Sequence, residues 1–205
     1  MMKLFYAPGS CSLASHIALE EAGATYQAVK VDLRQSEQRK PEYLAINPKG
    51  RIPALVTDRG VLTETPAILA YVAQAHPQAG LLPTDPWELA QAQAFNSYLA
   101  STVHVAHAHR MRGSRWADEE SSFEDMRRKV PQTMAECFGL IETELLTGPW
   151  VLGERFSVCD GYLFTLAGWL EGDGVDPARF PRVHAHRERV RARPAVSKVL
   201  AEEAA

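Results

Sequence analysis

The sequence predicts a small α/β domain over residues 1–77, a linker over residues 78–86 and an all-helical domain over residues 87–205. Strand and helix patterns alternate through the first 75 or so residues, and no strand pattern follows residue 80. The linker contains Gly80 between several prolines, too many breakers for a helix. A chain of 205 residues is long enough for one large domain or two small ones.

The chain opens with the pattern of a βαβ unit. Residues 3–7 form a short apolar run typical of a strand, and apolar residues then recur at helical spacing from 13 to 22. Gly23 ends that helix pattern as a C-terminal cap would. Residues 25–33 alternate between apolar and polar, which predicts a second strand parallel to the first.

In the rest of the first domain, the sequence predicts a helical or irregular link, then a β-hairpin and then a helix. Residues 35–46 are weakly helical, and residues 47–50 (NPKG) have the composition of a turn. Strands are expected over 53–58 and 61–64, joined by a turn at 58–60. Thr65 and Pro66 predict a helix start, with the Thr65 hydroxyl at the N-cap.

The second domain is predicted to be helical throughout. Apolar periodicity predicts helices over residues 87–112, 122–146, 158–171, 181–193 and 195–203. Pro131 should kink the second of these or lie in its first turns. Ser157 and Asp160 have the spacing of a capping box before an apolar run, which indicates a folding element rather than a site. His184 and His186, among arginines on a late helix, are expected to be solvated.

Composition excludes several classes of protein. Basic and acidic residues nearly balance, with a net charge of −3, so no broad surface for nucleic acid is expected. No apolar run approaches the length of a membrane span, and the first residues lack the apolar stretch of a signal peptide. Three widely spaced cysteines do not form a disulfide framework and fit a reducing cytoplasm.

Cys11 is the strongest candidate for chemistry. It lies where the first strand passes into the first helix, and a helix N-terminus carries about half a positive charge. A thiolate is favoured there, so we expect a lowered pKa for Cys11. Cys137 and Cys159 lie within helical patterns and are expected to be structural.

Two further segments could hold a peptide-like ligand. If the Ile52–Pro53 bond is cis, the Ile52 backbone would turn outward and could pair with an extended ligand. The helix start at Thr65 could bind a carboxylate through free N–H groups and the hydroxyl. Glu64 beside it could accept from an ammonium group, although ordinary capping would also explain both residues.

These segments together resemble a known family. Residues 3–17 (KLFYAPGSCSLASHI), 47–55 (NPKGRIPAL), 62–68 (LTETPAI) and 154–164 (ERFSVCDGYLF) resemble the bacterial beta-class glutathione transferases. The resemblance covers nearly the whole chain in the right order. It implies a thioredoxin-like first domain, a helical second domain and a homodimer. It also implies that glutathione lies over Cys11, Ile52, Pro53, Glu64 and Thr65.

The resemblance places further site residues on the first long helix. His104 matches a histidine that the family places near glutathione, and Ser97 and Ser101 share a predicted polar stripe with it. Catalytic roles are therefore expected for Cys11, His104 and Ser10. The spacing of His104, His107 and His109 gives no complete ligand set, so no metal is expected.

The sequence departs from its relatives at two positions. Val105 and Ser36 stand where relatives often have lysine, and Arg34 or Lys40 could substitute for the second. The electrophile pocket is expected on helix faces around residues 104–116 and at the end of the chain. Its rim is predicted to be partly cationic because Arg110, Arg112 and Arg115 lie in this region, beside Trp116.

The predicted function is conjugation of the glutathione thiolate to small, mostly hydrophobic electrophiles. Glutathione is the co-substrate, and no nucleic-acid or membrane partner is expected. One alternative is a glutathione-dependent thiol transferase or disulfide reductase that uses Cys11, because a cysteine there could form a mixed disulfide. Another is a non-catalytic protein of the same fold that binds a ligand or partner.

Overall fold

The computed structural model describes all 205 residues and confirms the predicted order of elements. The first domain contains strands β1 (Met2–Tyr6), β2 (Tyr26–Lys30), β3 (Ala54–Thr57) and β4 (Gly60–Thr63) with helices α1 (Ser12–Glu21), α2 (Pro41–Leu44) and α3 (Thr65–Ala75). The second contains α4 (Pro86–Tyr98), α5 (His104–Ala108), α6 (Glu120–Leu140), α7 (Val158–Ala167), α8 (Pro181–Arg191) and α9 (Pro194–Ala204). None of these helices combines the length and apolar character needed to cross a bilayer.

The sheet has the strand order β2-β1-β3-β4. β1 pairs with β2 in parallel and with β3 in antiparallel fashion, and β4 pairs antiparallel with β3. Leu4 and Leu55 lie opposite each other across the β1–β3 pair, and both are fully buried. This mixed sheet with flanking helices confirms the thioredoxin-like fold expected for the first domain.

The structure shifts three predicted boundaries. β2 ends at Lys30 rather than residue 33, because the Asp32 carboxylate accepts hydrogen bonds from the backbone N–H groups of Arg34 and Gln35 and turns the chain. The N-cap of α3 is Glu64, not Thr65, and it has a left-handed φ of 72°. Pro86 is the first residue of α4 rather than part of a linker, with the Asp85 carboxylate as its cap.

The long helix predicted over 87–112 is not continuous. α4 passes through a π-helical segment, Leu99–Val103, before α5 begins at His104. A second π-helical segment, Ile141–Leu145, extends α6, and Pro131 lies inside α6 rather than near its start. A π-helical turn holds more residues than an α-helical turn, so it rotates the faces that follow it.

The two domains pack on each other around α1. One cluster of 34 buried residues joins Leu4 and Leu55 of the sheet to Phe138 and Tyr162 of the helical domain. Gly161 of α7 brings that helix so close to α1 that an added Cβ would lie 3.2 Å from Ile17 Cγ2. The turn between β1 and α1 is thereby held against the helical domain, where an open cleft forms.

Candidate functional site

The cleft between the two domains has a volume of about 640 Å³, ample for a small molecule. The first domain lines it with the β1–α1 turn, the loop before β3 and the start of α3, and the helical domain lines it with α5 and the loop that follows. The predicted site residues that line it are Ser10, Cys11, Ile52, Pro53, Glu64, Thr65 and His104.

Cys11 occupies the N-cap position of α1 but is only 8% exposed. Its Sγ donates to the backbone oxygen of Ile52 at 3.4 Å. Burial raises the pKa of the Cys11 thiol, while a hydrogen bond with Thr65 and the Arg112 guanidinium lower it by less. The expectation of a lowered pKa is therefore wrong, because loss of hydration outweighs the Thr65 hydrogen bond and the Arg112 charge.

Ser10 lies in the cleft and takes part in the hydrogen bonds of the β1–α1 turn. The Ser10 and Ser12 hydroxyls lie 2.7 Å apart in a hydrogen bond in which either oxygen can be the donor, and Ser12 Oγ also lies 3.2 Å from the Ala7 carbonyl oxygen. The Ser12 backbone N–H also donates to Ser10 Oγ. Ser10 therefore shapes the β1–α1 turn from within the cleft.

The Ile52–Pro53 bond is cis. The loop before it is anchored at the Arg51 carbonyl, which accepts hydrogen bonds of 2.7 Å from both Tyr43 Oη and Asn47 Nδ2. Ile52 is half-buried, with its carbonyl towards Cys11. This loop and the Cys11 turn therefore form one wall of the cleft.

The start of α3 forms the floor beside that wall. Thr65 is buried as the first helical residue, and no side chain caps the helix. Lys49 Nζ donates to the exposed Glu64 carboxylate and, at 2.7 Å, to Thr63 Oγ1. Glu64 therefore holds one cation already and stands where a second amine could compete for it.

His104 faces the cleft, but the predicted polar stripe does not. Ser97 and Ser101 are exposed outside the cleft, and Ser101 Oγ donates to the Ser97 carbonyl at 2.8 Å. Ser101 lies within the π-helical segment Leu99–Val103, which rotates the helix face between Ser97 and His104, so Ala100 rather than Ser101 lines the cleft together with His104. Ser97 and Ser101, predicted to bind glutathione, therefore do not line the cleft of this chain.

The environment of His104 keeps its imidazole neutral. Burial, followed by the charges of Arg112, His107, Arg115 and Arg51, lowers the pKa of His104 from 6.5 to about 4. Its ring packs edge-on against Trp169, with centroids 5.1 Å apart. A neutral imidazole can donate one N–H to a ligand but adds no positive charge at neutral pH.

A histidine–aspartate pair that the sequence did not reveal forms the opposite wall. His107 Nδ1 lies 2.7 Å from the buried carboxylate of Asp173, and the His107 ring stacks on Trp169 at 4.1 Å. Trp169 Nε1 in turn donates to the Gly9 carbonyl at 3.0 Å, joining the two domains. The three-residue spacing between His104 and His107 predicts that both lie on one helix face. No local sequence pattern predicts that His107 pairs with Asp173, which is 66 residues away.

The cationic rim differs in membership from the prediction. Arg112, Arg115 and Trp116 line the cleft as expected, whereas Arg110 turns away and contacts Asp173 at 3.5 Å. Arg34 lines the cleft, while Lys40 pairs with Glu37 outside it. Arg39 and Arg51 complete the set of arginines in the cleft.

The end of the chain lies away from the cleft. α9 buries Val196 and Val199 against α1, and Glu203 pairs with His16 at 3.0 Å. The expectation that the chain end lines the electrophile pocket is therefore wrong. No group of three or more His, Cys, Asp or Glu side chains is placed to hold a metal ion.

Comparison with known proteins identifies the family. The model of the glutathione S-transferase N-terminal domain matches residues 1–74, and that of the C-terminal domain matches residues 115–189. Glutathione S-transferase GstA of Escherichia coli O157:H7 is 33% identical over 98% of both chains.

Solved structures agree with these matches. A glutathione transferase homologue from Sulfitobacter with bound glutathione is 53% identical over 98% of both chains, with a TM-score of 0.96. A beta-class glutathione S-transferase of Sphingomonas chungbukensis is 37% identical over 98% of both chains, with a TM-score of 0.86. The chain is therefore an enzyme of the glutathione S-transferase family.

Proposed function

We propose that the cleft binds glutathione with its sulfur beside Cys11 and transfers that sulfur to a small electrophile. The observation that carries the proposal is that one cleft brings together Cys11, the Ile52–Pro53 loop, the Glu64–Thr65 helix start and His104. The Ile52 backbone pairs with the extended tripeptide, and the free N–H groups at the start of α3 hold its α-carboxylate. Glu64 accepts from the α-ammonium group in competition with Lys49.

The cleft would stabilise the glutathione thiolate through nearby positive charge rather than through a general base that removes the thiol proton. Arg112 acts on the charge of Cys11 across the cleft, and the same guanidinium would stabilise a neighbouring glutathione thiolate. The neutral His104 contributes an N–H donor. The thiolate sulfur attacks the electrophilic carbon, its former proton having passed to solvent, and the leaving group departs with the electron pair of the broken bond.

Apolar residues beside the arginines provide room for the electrophile. Met111 and Trp116 are 78% and 45% exposed on the helical side of the cleft, and Val105 lies near them. Large exposed apolar side chains lining a cleft are typical of a binding surface. The electrophile therefore carries an apolar body.

Calorimetric titration with glutathione tests the binding mode. Glu64→Gln keeps the shape of the side chain, removes its charge and should weaken binding about tenfold through loss of one charge-assisted hydrogen bond. Glu42→Gln, exposed in α2 outside the cleft, is the matched control and should bind like the wild type. An unchanged dissociation constant for Glu64→Gln would remove Glu64 from the site.

A glutathione-dependent thiol transferase or disulfide reductase is the second candidate. The observation that favours it is the position of Cys11 at the place proposed for the glutathione sulfur. A Cys11 thiolate would attack a glutathione disulfide and release one glutathione as a thiolate, leaving a mixed disulfide. The raised pKa of Cys11 opposes this route, so conjugation remains the primary proposal. Membership of a family of enzymes disfavours the non-catalytic alternative.

We also propose a cytoplasmic homodimer made of the two domains 1–77 and 87–205. All three cysteines are free, which fits a reducing compartment. Light scattering coupled to size-exclusion chromatography would test the dimer, and cell fractionation would test the location. A monomer at micromolar concentration would contradict the first part of this proposal.

A further inference from the structure

Five arginines in the cleft have no carboxylate partner. Their guanidiniums make no ion pair and no hydrogen bond with another side chain, although the same cleft brings them together from both domains. We call them the arginine cluster, and its members are Arg34, Arg39, Arg51, Arg112 and Arg115. Outside the cleft, by contrast, Arg128, Arg187 and Arg193 each pair with a carboxylate.

The cluster is costly to assemble without an anion. Burial, and then the charges of Arg112, Arg51 and Arg39, lower the pKa of Arg115, so these like charges repel one another across the cleft. The one acidic residue in the lining, Glu64, is already paired with Lys49. The cleft therefore offers an excess of positive charge to any molecule that enters it.

Glutathione alone does not neutralise this excess. At neutral pH it carries two carboxylates and one ammonium group, and its thiolate form has a net charge of about −2. Because the Glu64 carboxylate is already paired with Lys49, none of the five guanidinium charges is balanced within the lining. A surplus of about three positive charges is left for the second substrate.

The positions of Arg112 and Arg115 place surplus positive charge on the side of the cleft proposed for the electrophile. Arg112 immediately precedes the short turn Gly113–Arg115 on the helical domain, and Arg115 is its last residue, next to Met111 and Trp116 in the chain. Gly113 holds this turn tightly on α6, because an added Cβ would lie 2.9 Å from the Phe123 ring. Cationic and apolar surfaces thus lie side by side on a rigid part of the cleft.

We infer that the electrophile is an anion, with a carboxylate or sulfonate group attached to an apolar body. The inference rests on the proposed glutathione conjugation and specifies the substrate class of that site. The anionic group binds Arg112 and Arg115, the apolar body lies against Met111 and Trp116, and the electrophilic carbon faces the glutathione sulfur.

Two electrophiles that differ in charge test this assignment. Wild-type kcat/KM is measured at saturating glutathione for 4-chloro-3,5-dinitrobenzoate and for neutral 1-chloro-2,4-dinitrobenzene, each divided by its uncatalysed rate with glutathione. We expect the normalised value for the anion to exceed that for the neutral compound roughly tenfold or more. Raising ionic strength from about 0.01 M to about 0.2 M should lower this ratio.

Substitutions of single arginines test which positive charges bind the anionic group of the electrophile. Arg112→Gln should lower the anion-to-neutral ratio about tenfold and the more exposed Arg115→Gln about threefold, whereas Arg115→Lys should keep most of the ratio. Arg128→Gln, on the exposed face of α6, is the control and should keep the wild-type ratio. Equal ratios in the wild type and both glutamine variants would overturn the inference.

The two measurements distinguish a failure of the anionic substrate class from a failure of the proposed glutathione conjugation. If both electrophiles are conjugated but the neutral one is preferred after normalisation, the anionic substrate class is wrong and conjugation stands. If calorimetry shows no glutathione binding and neither compound is conjugated, the proposed function fails and the substrate class fails with it.

Discussion

Two opposing effects act on the pKa of the Cys11 thiol. The positive end of α1 favours a thiolate, and burial against the Ile52 carbonyl disfavours it. Burial dominates because a helix end contributes only about half a charge, whereas the thiolate loses nearly all of its hydration at 8% exposure. Unliganded Cys11 should therefore react slowly with alkylating reagents at neutral pH.

Reaction with oxidised glutathione should nevertheless be selective for Cys11. We expect one glutathionyl group per chain at Cys11, because the disulfide binds in the cleft beside that sulfur. Cys137 is an internal control of equal exposure, 8%, whose pKa burial also raises, but it lies outside the cleft. Peptide mapping by mass spectrometry measures the adduct. Equal modification of the two cysteines would show that reactivity, not glutathione recognition, selects the site.

His104 should make stability depend on pH. Its folded-state pKa of about 4 lies below the ordinary 6.5, so the unfolded chain binds a proton that the folded chain does not between these values. Stability is therefore lost as pH falls from about 6.5 towards about 4. Urea midpoints at about pH 7.5 and about pH 5 measure this loss, which should be smaller in His104→Gln.

The exposed His184 supplies the control for that measurement. His184→Gln should lose as much stability on acidification as the wild type, because this side chain lies in solvent on α8. A loss in His104→Gln that equals the wild-type loss would show that other groups cause the acid sensitivity.

At the level of elements, the start of α7 depends on one carboxylate. Asp160 closes the predicted capping box with Ser157, which the structure confirms, and it also accepts from the Val151 N–H at 2.7 Å. His186, expected to be solvated, is instead fully buried and lies 2.9 Å from Asp160. The capping box therefore ties α7 both to the preceding loop and to α8.

Asp160→Ala should cost far more than an ordinary helix cap. Removing one partner of a buried pair costs about 3–5 kcal/mol, because the remaining polar groups lose their acceptor. The matched control is Asp85→Ala, an exposed N-cap of α4 that accepts from two backbone N–H groups and should cost about 1 kcal/mol. Chemical denaturation of both variants gives the comparison. Equal losses would mean that the contacts of Asp160 beyond its cap contribute nothing.

Across the whole molecule, the two domains share one core and should unfold together. Besides the buried cluster, Arg193 makes two hydrogen bonds to Glu21, and the Val158 N–H donates to Leu81 in the connecting segment. We expect one thermal transition in which calorimetric and van't Hoff enthalpies agree. All four tryptophans lie in the second domain, so their fluorescence should coincide with far-ultraviolet circular dichroism of the whole chain. Two separate transitions would contradict this coupling.

The linear chain was sufficient to predict the order of elements, the α/β fold followed by a helical one, and the grouping of Cys11, Ile52 and Thr65 along one cleft. These features depend on local patterns: apolar spacing, turn residues and helix ends act over a few residues. The capping box at Ser157 and Asp160 was predictable for the same reason. A π-helical turn leaves no such local pattern, so the rotation of His104 relative to Ser97 and Ser101 was not predictable.

Long-range contacts decided the chemistry of the cleft. The raised pKa of Cys11, the burial of His186 against Asp160 and the pairing of His107 with Asp173 all depend on residues far apart in the chain. The arginine cluster likewise forms only when segments around residues 34–39, 51 and 112–115 converge. Hydration and charge interaction depend on distances in space, and those distances exist only once the two domains have closed around the cleft.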